Sequence, residues 1–566
     1  MPAKRPDRLL SQLEECRYRF GPSEAARVIK LLNSLESARF PDARSLIRFH
    51  EALLFLRAFP QGPGVVRKTE KLLNSFWKRV EELRQCGVDL SSLDTFEFSG
   101  IAGTVMEDTL SFDVARWLIR RMPGKVEIAW DNYEPGRELG ATWPRFMPLL
   151  EDDAYVEADT PWRQWLAAAQ GKKNASPERL IRRFEELALS EHDKAELYDS
   201  LRLPLRWDLG NSRVSRTRNW ERVRKVFYHS GPLISRSEVS LAEELARKPP
   251  ALVKLSRQQG ERTMDKIREV MLVRYRELYG TTLGNPASVV RADIGRGMSI
   301  YLWNLPLDRR LPLRAYVAGL TLKNGVPINY IEAIGLFEWM EVGFNTFYTF
   351  RGGETGWVYA QVLRCLCHLM GTTCVSVYPY QLGHDNDEAI DSGAFWFYRK
   401  LGFRPGRPDL MRLVEREERR IAADKTYRTP PRTLRRLAAG HVFYELLGSE
   451  VGAWDRFSTR NIGLRVNAHM ARKFGGDARR MRAESARVVA QTLGVDRSSW
   501  TAIEKASLEN FAVALTLVRD LSSWTREEKD ALAQIIRAKA ARDEMTYLHL
   551  MQKHERLWDA LLKIGS

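Results

Sequence analysis

Cysteine is scarce in this chain, with five residues (Cys16, Cys86, Cys365, Cys367 and Cys374) among 566. A number that is both small and odd suits a reducing compartment better than a disulfide framework. No uncharged apolar stretch reaches the ~18 residues that a membrane span requires. Met1-Pro-Ala-Lys-Arg-Pro-Asp-Arg is followed by no apolar run of signal-peptide length, so a soluble, cytoplasmic protein without a membrane span is expected. Low-complexity tracts and internal repeats are missing, and so are a P-loop and a serine-hydrolase elbow.

What the chain has in quantity is apolar surface and positive charge. Hydrophobic residues make up 44% and charged residues 28%, and 16 Trp with 23 Phe supply large areas to bury, which describes a globular protein rather than a disordered one. Single cores stop growing near ~250 to 300 residues, so several domains are expected. Lys and Arg number 89 against 72 Asp and Glu, a net charge of +17 that attracts anions: nucleic acid, anionic lipid or a phosphorylated cofactor.

Apolar residues recur at helical spacing from Asp7 to about Arg84, as in Ala25, Val28, Ile29 and Leu32. Ser111 to Arg121 reads as a capped helix and Val126 to Trp130 as a short strand, completing a mainly helical N-terminal domain over 1–170. The polar stretch Gly171-Lys-Lys-Asn-Ala-Ser-Pro marks a boundary before a helical, basic connecting region over 171–262. There Arg213, Arg216, Arg218, Arg222, Arg224 and Lys225 surround Trp220, Phe227 and Tyr228, a mixture that can grip phosphates and stack bases but that composition favours as a helix with aromatics inward and arginines in water. An α/β domain is expected over 263–410, and a helical, basic C-terminal domain over 411–566 behind the linker Tyr427-Arg-Thr-Pro-Pro-Arg.

The α/β stretch carries the chemistry. Arg314 to Leu322 and Val326 to Phe337 are strand-like runs joined by Asn324-Gly325, both of which accept the positive φ of a type I′ hairpin turn. A third run, Met340 to Phe350, leads into Arg351-Gly-Gly-Glu-Thr-Gly356, after which Trp357 to Met370 reads as a helix ended by Gly371. A strand followed by a glycine-rich turn and a helix is an anion site, because the helix's first N–H groups point outward and glycine lets a phosphate approach. A fourth run, Thr373 to Tyr380, enters an acidic loop with His384, Asp385, Asn386, Asp387 and Glu388, then a helix over Ala389 to Lys400. The closing phrase is Phe397-Tyr398-Arg399-Lys400-Leu401-Gly402-Phe403, with Ala394 four residues before Tyr398.

This order and this closing phrase, over about residues 315–405, resemble the acyl-CoA-binding core of the GNAT-superfamily N-acyltransferases. The resemblance implies an α/β GNAT-like core with flanking mainly α-helical domains, and transfer of an acyl group, acetyl in the usual case, from acetyl-CoA or another acyl-CoA to an amine-bearing acceptor by direct attack on the thioester. It implies no metal. By position it assigns Arg351, Gly352, Gly353, Thr355, Gly356 and Trp357 to the cofactor diphosphate, and the diverging strands around Met340–Phe350 and Thr373–Tyr380 to the pantetheine arm. Tyr398 would protonate the departing thiolate, and a glutamate would accept the amine's proton, Glu341 before Glu332 and Glu338. Glu354 departs from the pattern: it stands where the family has glycine, and a carboxylate there repels a diphosphate unless it points away. Without the resemblance, Tyr398 is a packing ring and the strand glutamates are solvent-facing. The alternative function is that of a non-catalytic protein of the same fold that binds nucleic acid. Cys365, Cys367, His368 and Cys374 fit no zinc spacing and read as structural.

Overall fold

A computed structural model describes residues 6–134, 139–146, 164 and 177–566. The boundary expected at 171–176 lies outside these residues. By internal packing the chain forms two compact units: Met1–Pro232 with Thr263–Thr282 and Asn324–Val326, and Leu233–Arg262 with Leu283–Lys323 and Pro327–Ser566.

The first unit begins with helices α1 (Pro6–Cys16), α2 (Pro22–Glu36), α3 (Ala43–Ala58), α4 (Pro63–Asn74) and α5 (Trp77–Gln85). Asp42 caps α3 by accepting from the Ser45 amide at 2.7 Å, so that one orphan donor of the first turn is satisfied. A three-stranded antiparallel sheet follows, ordered β1 (Val105–Thr109), β3 (Pro204–Asp208), β2 (Val126–Ile128). Helices α6 (Phe112–Arg121), α7 (Pro177–Glu186) and α8 (Glu191–Leu201) supply Phe112, Phe184 and Tyr198 to its core beside Trp207. The strand expected to reach Trp130 ends at Ile128. Behind α3 lies a buried polar cluster: His50 bonds Glu51 through Nδ1 and the Thr217 hydroxyl through Nε2, each at 2.9 Å, and Arg216 donates to Glu51 at 2.6 Å.

The Arg213–Tyr228 segment belongs to that packing and is irregular rather than helical. Arg216 is consumed by Glu51, Arg218 donates to the Asn211 carbonyl at 2.7 Å, and the Trp220 ring lies 4.5 Å from the Arg57 guanidinium. The basic and aromatic alternation there reflects internal pairing for part of its residues, which composition does not distinguish from a binding surface.

The second unit is built on a nine-stranded sheet ordered β11-β12-β10-β9-β8-β7-β6-β5-β4. Its strands are β4 (Leu252–Lys254), β5 (Val290–Gly295), β6 (Met298–Asn304), β7 (Ala315–Lys323), β8 (Val326–Leu336), β9 (Trp339–Thr346), β10 (Cys374–Val377), β11 (Arg404–Pro405) and β12 (Val442–Glu445). Asn324 and Gly325 have φ of 49° and 81°, the left-handed values a two-residue turn between β7 and β8 demands. β8 and β9 pair antiparallel, whereas β9 and β10 pair parallel and are joined by a crossover through helix α9 (Thr355–Met370). Parallel neighbours need such a connection, since a tight turn only reverses the chain.

Two expectations change here. The helix expected over Ala389–Lys400 is two short pieces, Asp387–Asp391 and Ala394–Arg399, because Gly393 (φ 67°) breaks it. The region after Pro405 is not wholly helical: β12 enters the sheet between β10 and β11. Val442-Phe-Tyr-Glu is too short and too isolated among helices to announce itself by periodicity.

Candidate functional site

Pairing of β9 with β10 runs from Trp339–Cys374 to Glu341–Ser376 and stops there, while β9 continues to Thr346 against β8. Across the point of separation lies Gln381: its Oε1 accepts from the Phe344 amide at 3.2 Å, and a Cβ on Gly343 would come within 3.1 Å of its Nε2. Side chains alternate along β9. Phe344 meets the Tyr359 ring of α9 at 4.8 Å, so Met340, Val342 and Phe344 face that helix and Glu341 faces the other side of the sheet.

On that other side, Glu341 is bonded to His441 Nε2 at 3.0 Å. The carboxylate is 19% and the imidazole 33% exposed, so the pair is sheltered yet reachable. Tyr378, half exposed, stands edge-on to the His441 ring at 5.3 Å. Burial pushes the Arg314 guanidinium down, and Glu341 opposes the shift, which places that cation beside the carboxylate. Glu332 shares the face and accepts from the Tyr316 hydroxyl. Glu338 does not: it accepts from the Trp454 and Trp558 indoles at 2.7 and 2.9 Å, a structural anchor rather than a base. His441 was not singled out in the sequence, because it lies a hundred residues from Glu341 and reaches it only through β12.

The glycine-rich turn has a different arrangement from the one its residues imply. Arg351 pairs with Glu388 at the surface, and the Gly353 amide is spent on the Phe350 carbonyl at 2.9 Å. Gly352 is exposed, Thr355 half-buried, and Gly356 and Trp357 buried. A Cβ on Gly356 would lie 3.3 Å from the Arg236 Cα, so the segment through Arg236 rests directly on the first turn of α9.

Glu354 points away from the turn's mouth. Its carboxylate is fully buried, accepting from Lys323 Nζ at 2.9 Å, from Arg296, and from the Ile234 amide at 3.2 Å. Burial alone would raise its pKa, but the two cations hold it below the usual carboxylate range. Lys323 is pushed down to about 8, by burial first, with Glu354 resisting. The carboxylate that seemed to oppose a diphosphate is therefore neutralised inside the fold.

Cations gather beside the same turn. Arg236 donates to the Trp396 carbonyl at 3.4 Å, and the Trp396 indole donates to Thr429 at 3.1 Å, next to Arg428. Lys400 is pushed down by desolvation and then by Arg236 and Arg428, so the three share one locality. Tyr398 is buried in an aromatic cluster, 5.6 Å from Tyr359 and 5.7 Å from Phe403, on the α9 side of the sheet. Burial pushes its hydroxyl up. Tyr398 and Glu341 therefore lie on opposite faces. Burial likewise pushes the Cys365 thiol up to about 12, marking it as inert. In the acidic loop, Asp387 pairs with Arg435 at 2.7 Å, and the Asn386 side chain caps the following turn.

No protein-family model, curated protein or solved structure matches this chain.

Proposed function

We propose that the second unit is an acyl-CoA-dependent N-acyltransferase with a GNAT-like core, moving an acetyl or other acyl group to an amine. The observation that carries this reading is the Glu341–His441 pair at the place where the parallel strands β9 and β10 separate. A hydrogen-bonded carboxylate orients an imidazole; with Nε2–H donated to Glu341, Nδ1 is left to accept a proton. An amine approaching the Glu341 face would lose its proton to His441 and attack the thioester carbonyl. The tetrahedral adduct would then collapse with loss of the CoA thiolate.

The opposite faces assigned to Tyr398 and Glu341 suit a thioester passing between the strands, with its phosphates on the α9 side. There the cluster of Arg236, Lys400 and Arg428 offers positive charge to a diphosphate, and Glu354 is withdrawn into its ion pairs. For entry, a ligand amide must replace Gln381 on the Phe344 N–H.

The test is calorimetry with acetyl-CoA, followed by thiol release in the presence of a panel of amines. Binding together with amine-dependent CoA release that collapses in His441→Ala supports the reading. Neither binding nor release in the intact protein defeats it.

A further inference from the structure

Cationic charge is concentrated in one short part of the second unit. Between Arg456 and Arg487 lie nine Lys and Arg against two carboxylates, Asp477 and Glu484, a net +7 of the chain's +17. This stretch forms a helical hairpin: α10 (Thr459–Phe474), the turn Gly475-Gly476-Asp477 with both glycines at positive φ, and α11 (Ala478–Leu493). All nine cations are exposed.

Internal pairing uses three of them. Arg465 donates to the Lys563 and Ser566 carbonyls, Arg482 to Asn510 at 2.8 Å, and Arg487 to Glu484 at 2.7 Å. Arg456, Arg460, Arg472, Lys473, Arg479 and Arg480 form no ion pair among the described residues. Four of these six flank the glycine turn, two in the last turn of α10 and two in the first turn of α11.

Arg472 and Lys473 suit the C-terminal end of the α10 dipole, whereas Arg479 and Arg480 are placed unfavourably for α11. The first turn of α11 contains no acidic residue and two arginines, the reverse of what a helix dipole prefers. Lys473 and Arg480 both lie near Glu484, whose pKa is held down first by Arg487 and then by these two. Asp477 caps α11 by accepting from the Arg480 amide at 2.8 Å, but the side chains of Arg472, Lys473, Arg479 and Arg480 at the same tip are left without a carboxylate partner among the described residues.

The chemistry of that anion is constrained. Eight of the nine cations are arginine, the residue whose planar fork matches phosphate oxygens two at a time. Phe457 and Phe474 are buried, and the half-buried His469 ring stands edge-on to Phe474 at 5.9 Å, so little ring surface is offered for stacking on unpaired bases. The apolar face of α10, with Ile462 and Phe474, is turned inward, and Leu464 is the one bulky apolar side chain it exposes. A lipid surface needs a broader apolar face than that. Arg460 and Arg472 lie about 18 Å apart along the helix, a reach that spans several phosphates of a duplex.

We infer that the α10–α11 hairpin is a docking surface for the phosphate backbone of double-stranded nucleic acid, read without regard to sequence. Arg472, Lys473, Arg479 and Arg480 grip from the tip, and Arg456 and Arg460 extend the contact.

The test uses the full-length chain and a fluorescently labelled duplex of arbitrary sequence, followed by anisotropy across a salt series. Four to six neutralised phosphates give a slope of log K against log salt of roughly −4 to −5, so a roughly threefold rise in salt weakens binding on the order of 100-fold. Replacing Arg472, Lys473, Arg479 and Arg480 together by Gln flattens the slope by about 3 to 4 and weakens low-salt binding at least about 50-fold. The set Arg472→Lys, Arg479→Lys and Arg480→Lys keeps the slope, which separates lost charge from a lost fold. Circular dichroism unchanged in the Gln variant completes the control. The inference is overturned by salt-insensitive binding, by an unchanged slope in the Gln variant, by tighter binding to a single strand, or by capture on phosphatidylglycerol vesicles without duplex affinity.

Discussion

Replacing Glu354 by Gln tests the central claim about the glycine-rich turn, that this carboxylate serves the fold and not the cofactor. Lys323 Nζ and the Glu354 carboxylate are both almost wholly buried, at 1% and 0% side-chain exposure, whereas Arg296 keeps 32% and can turn to water. The loss therefore falls on Lys323. Leaving one member of a buried pair uncompensated costs about 3 to 5 kcal/mol, and that is the expected magnitude at neutral pH. The dependence on pH follows from Lys323, pushed to about 8 in the native protein with Glu354 resisting the fall. In the variant that support is gone and the native pKa drops further, while the unfolded lysine stays near ~10.4. Between those values the unfolded chain binds a proton that the native chain does not, so stability rises with pH. In the parent this rise begins near 8. In the variant it begins lower, adding up to about 1.4 kcal/mol per pH unit below 8. Hydrogen exchange of amides in β7 and α9, followed at several pH values, reads the local opening free energy without assuming that so large a chain unfolds in one step. A deficit below about 1 kcal/mol, or a pH slope identical to the parent's, would refute the assignment.

Other outcomes follow from the same geometry. His441→Ala and Glu341→Gln should each lower acyl transfer by about 10² to 10⁴, with the calorimetric affinity for acyl-CoA unchanged, as expected of a proton acceptor and its orienting partner. Gln381→Ala frees the Phe344 N–H, and acyl-CoA affinity should rise several-fold, by about 1 kcal/mol, when a pantetheine amide takes that place; unchanged affinity would separate the cofactor from β9. Tyr398→Ala empties part of the cluster with Tyr359 and Phe403 and should cost about 3 to 5 kcal/mol by chemical denaturation, whereas Tyr398→Phe keeps the ring and should cost far less. In the first unit, burial holds His50 below its usual pKa against the pull of Glu51. Its contribution to stability is present above the unfolded value of about 6.5 and is lost as pH falls from there through the lower native value, so exchange of α3 amides should accelerate between neutral pH and pH 5 in the parent and less in His50→Gln.

Much of the second unit was legible because its signals are local. Asn324-Gly325 announces a hairpin by requiring two positive φ values, and Gly371, at φ 66°, ends α9 where its lack of a side chain says a helix should end. The run of strand, glycine-rich turn and helix placed the parallel crossover. The illegible parts depend on partners distant in sequence. Glu354 looked hostile to phosphate because Lys323 and Arg296, its counter-ions, lie 31 and 58 residues upstream. Periodicity carries no record of such pairings. His441 came to Glu341 through a four-residue strand that no window detects.

Positive charge misled in one place and informed in another. Around Arg213–Tyr228 the aromatic neighbours drew attention, yet aromatics beside arginines are what a packed interior also needs, and Arg216 proves to be an interior ion-pair partner. In the Arg456–Arg487 hairpin there is no such interleaving, and composition alone reads as a solvated helix. What separates the two is whether the fold itself supplies the counter-charge. It does so for Arg216 through Glu51, and it supplies no carboxylate to Arg472, Lys473, Arg479 and Arg480, the last two of which also oppose the dipole of α11. Net charge becomes evidence for a partner only after the internal pairs have been subtracted.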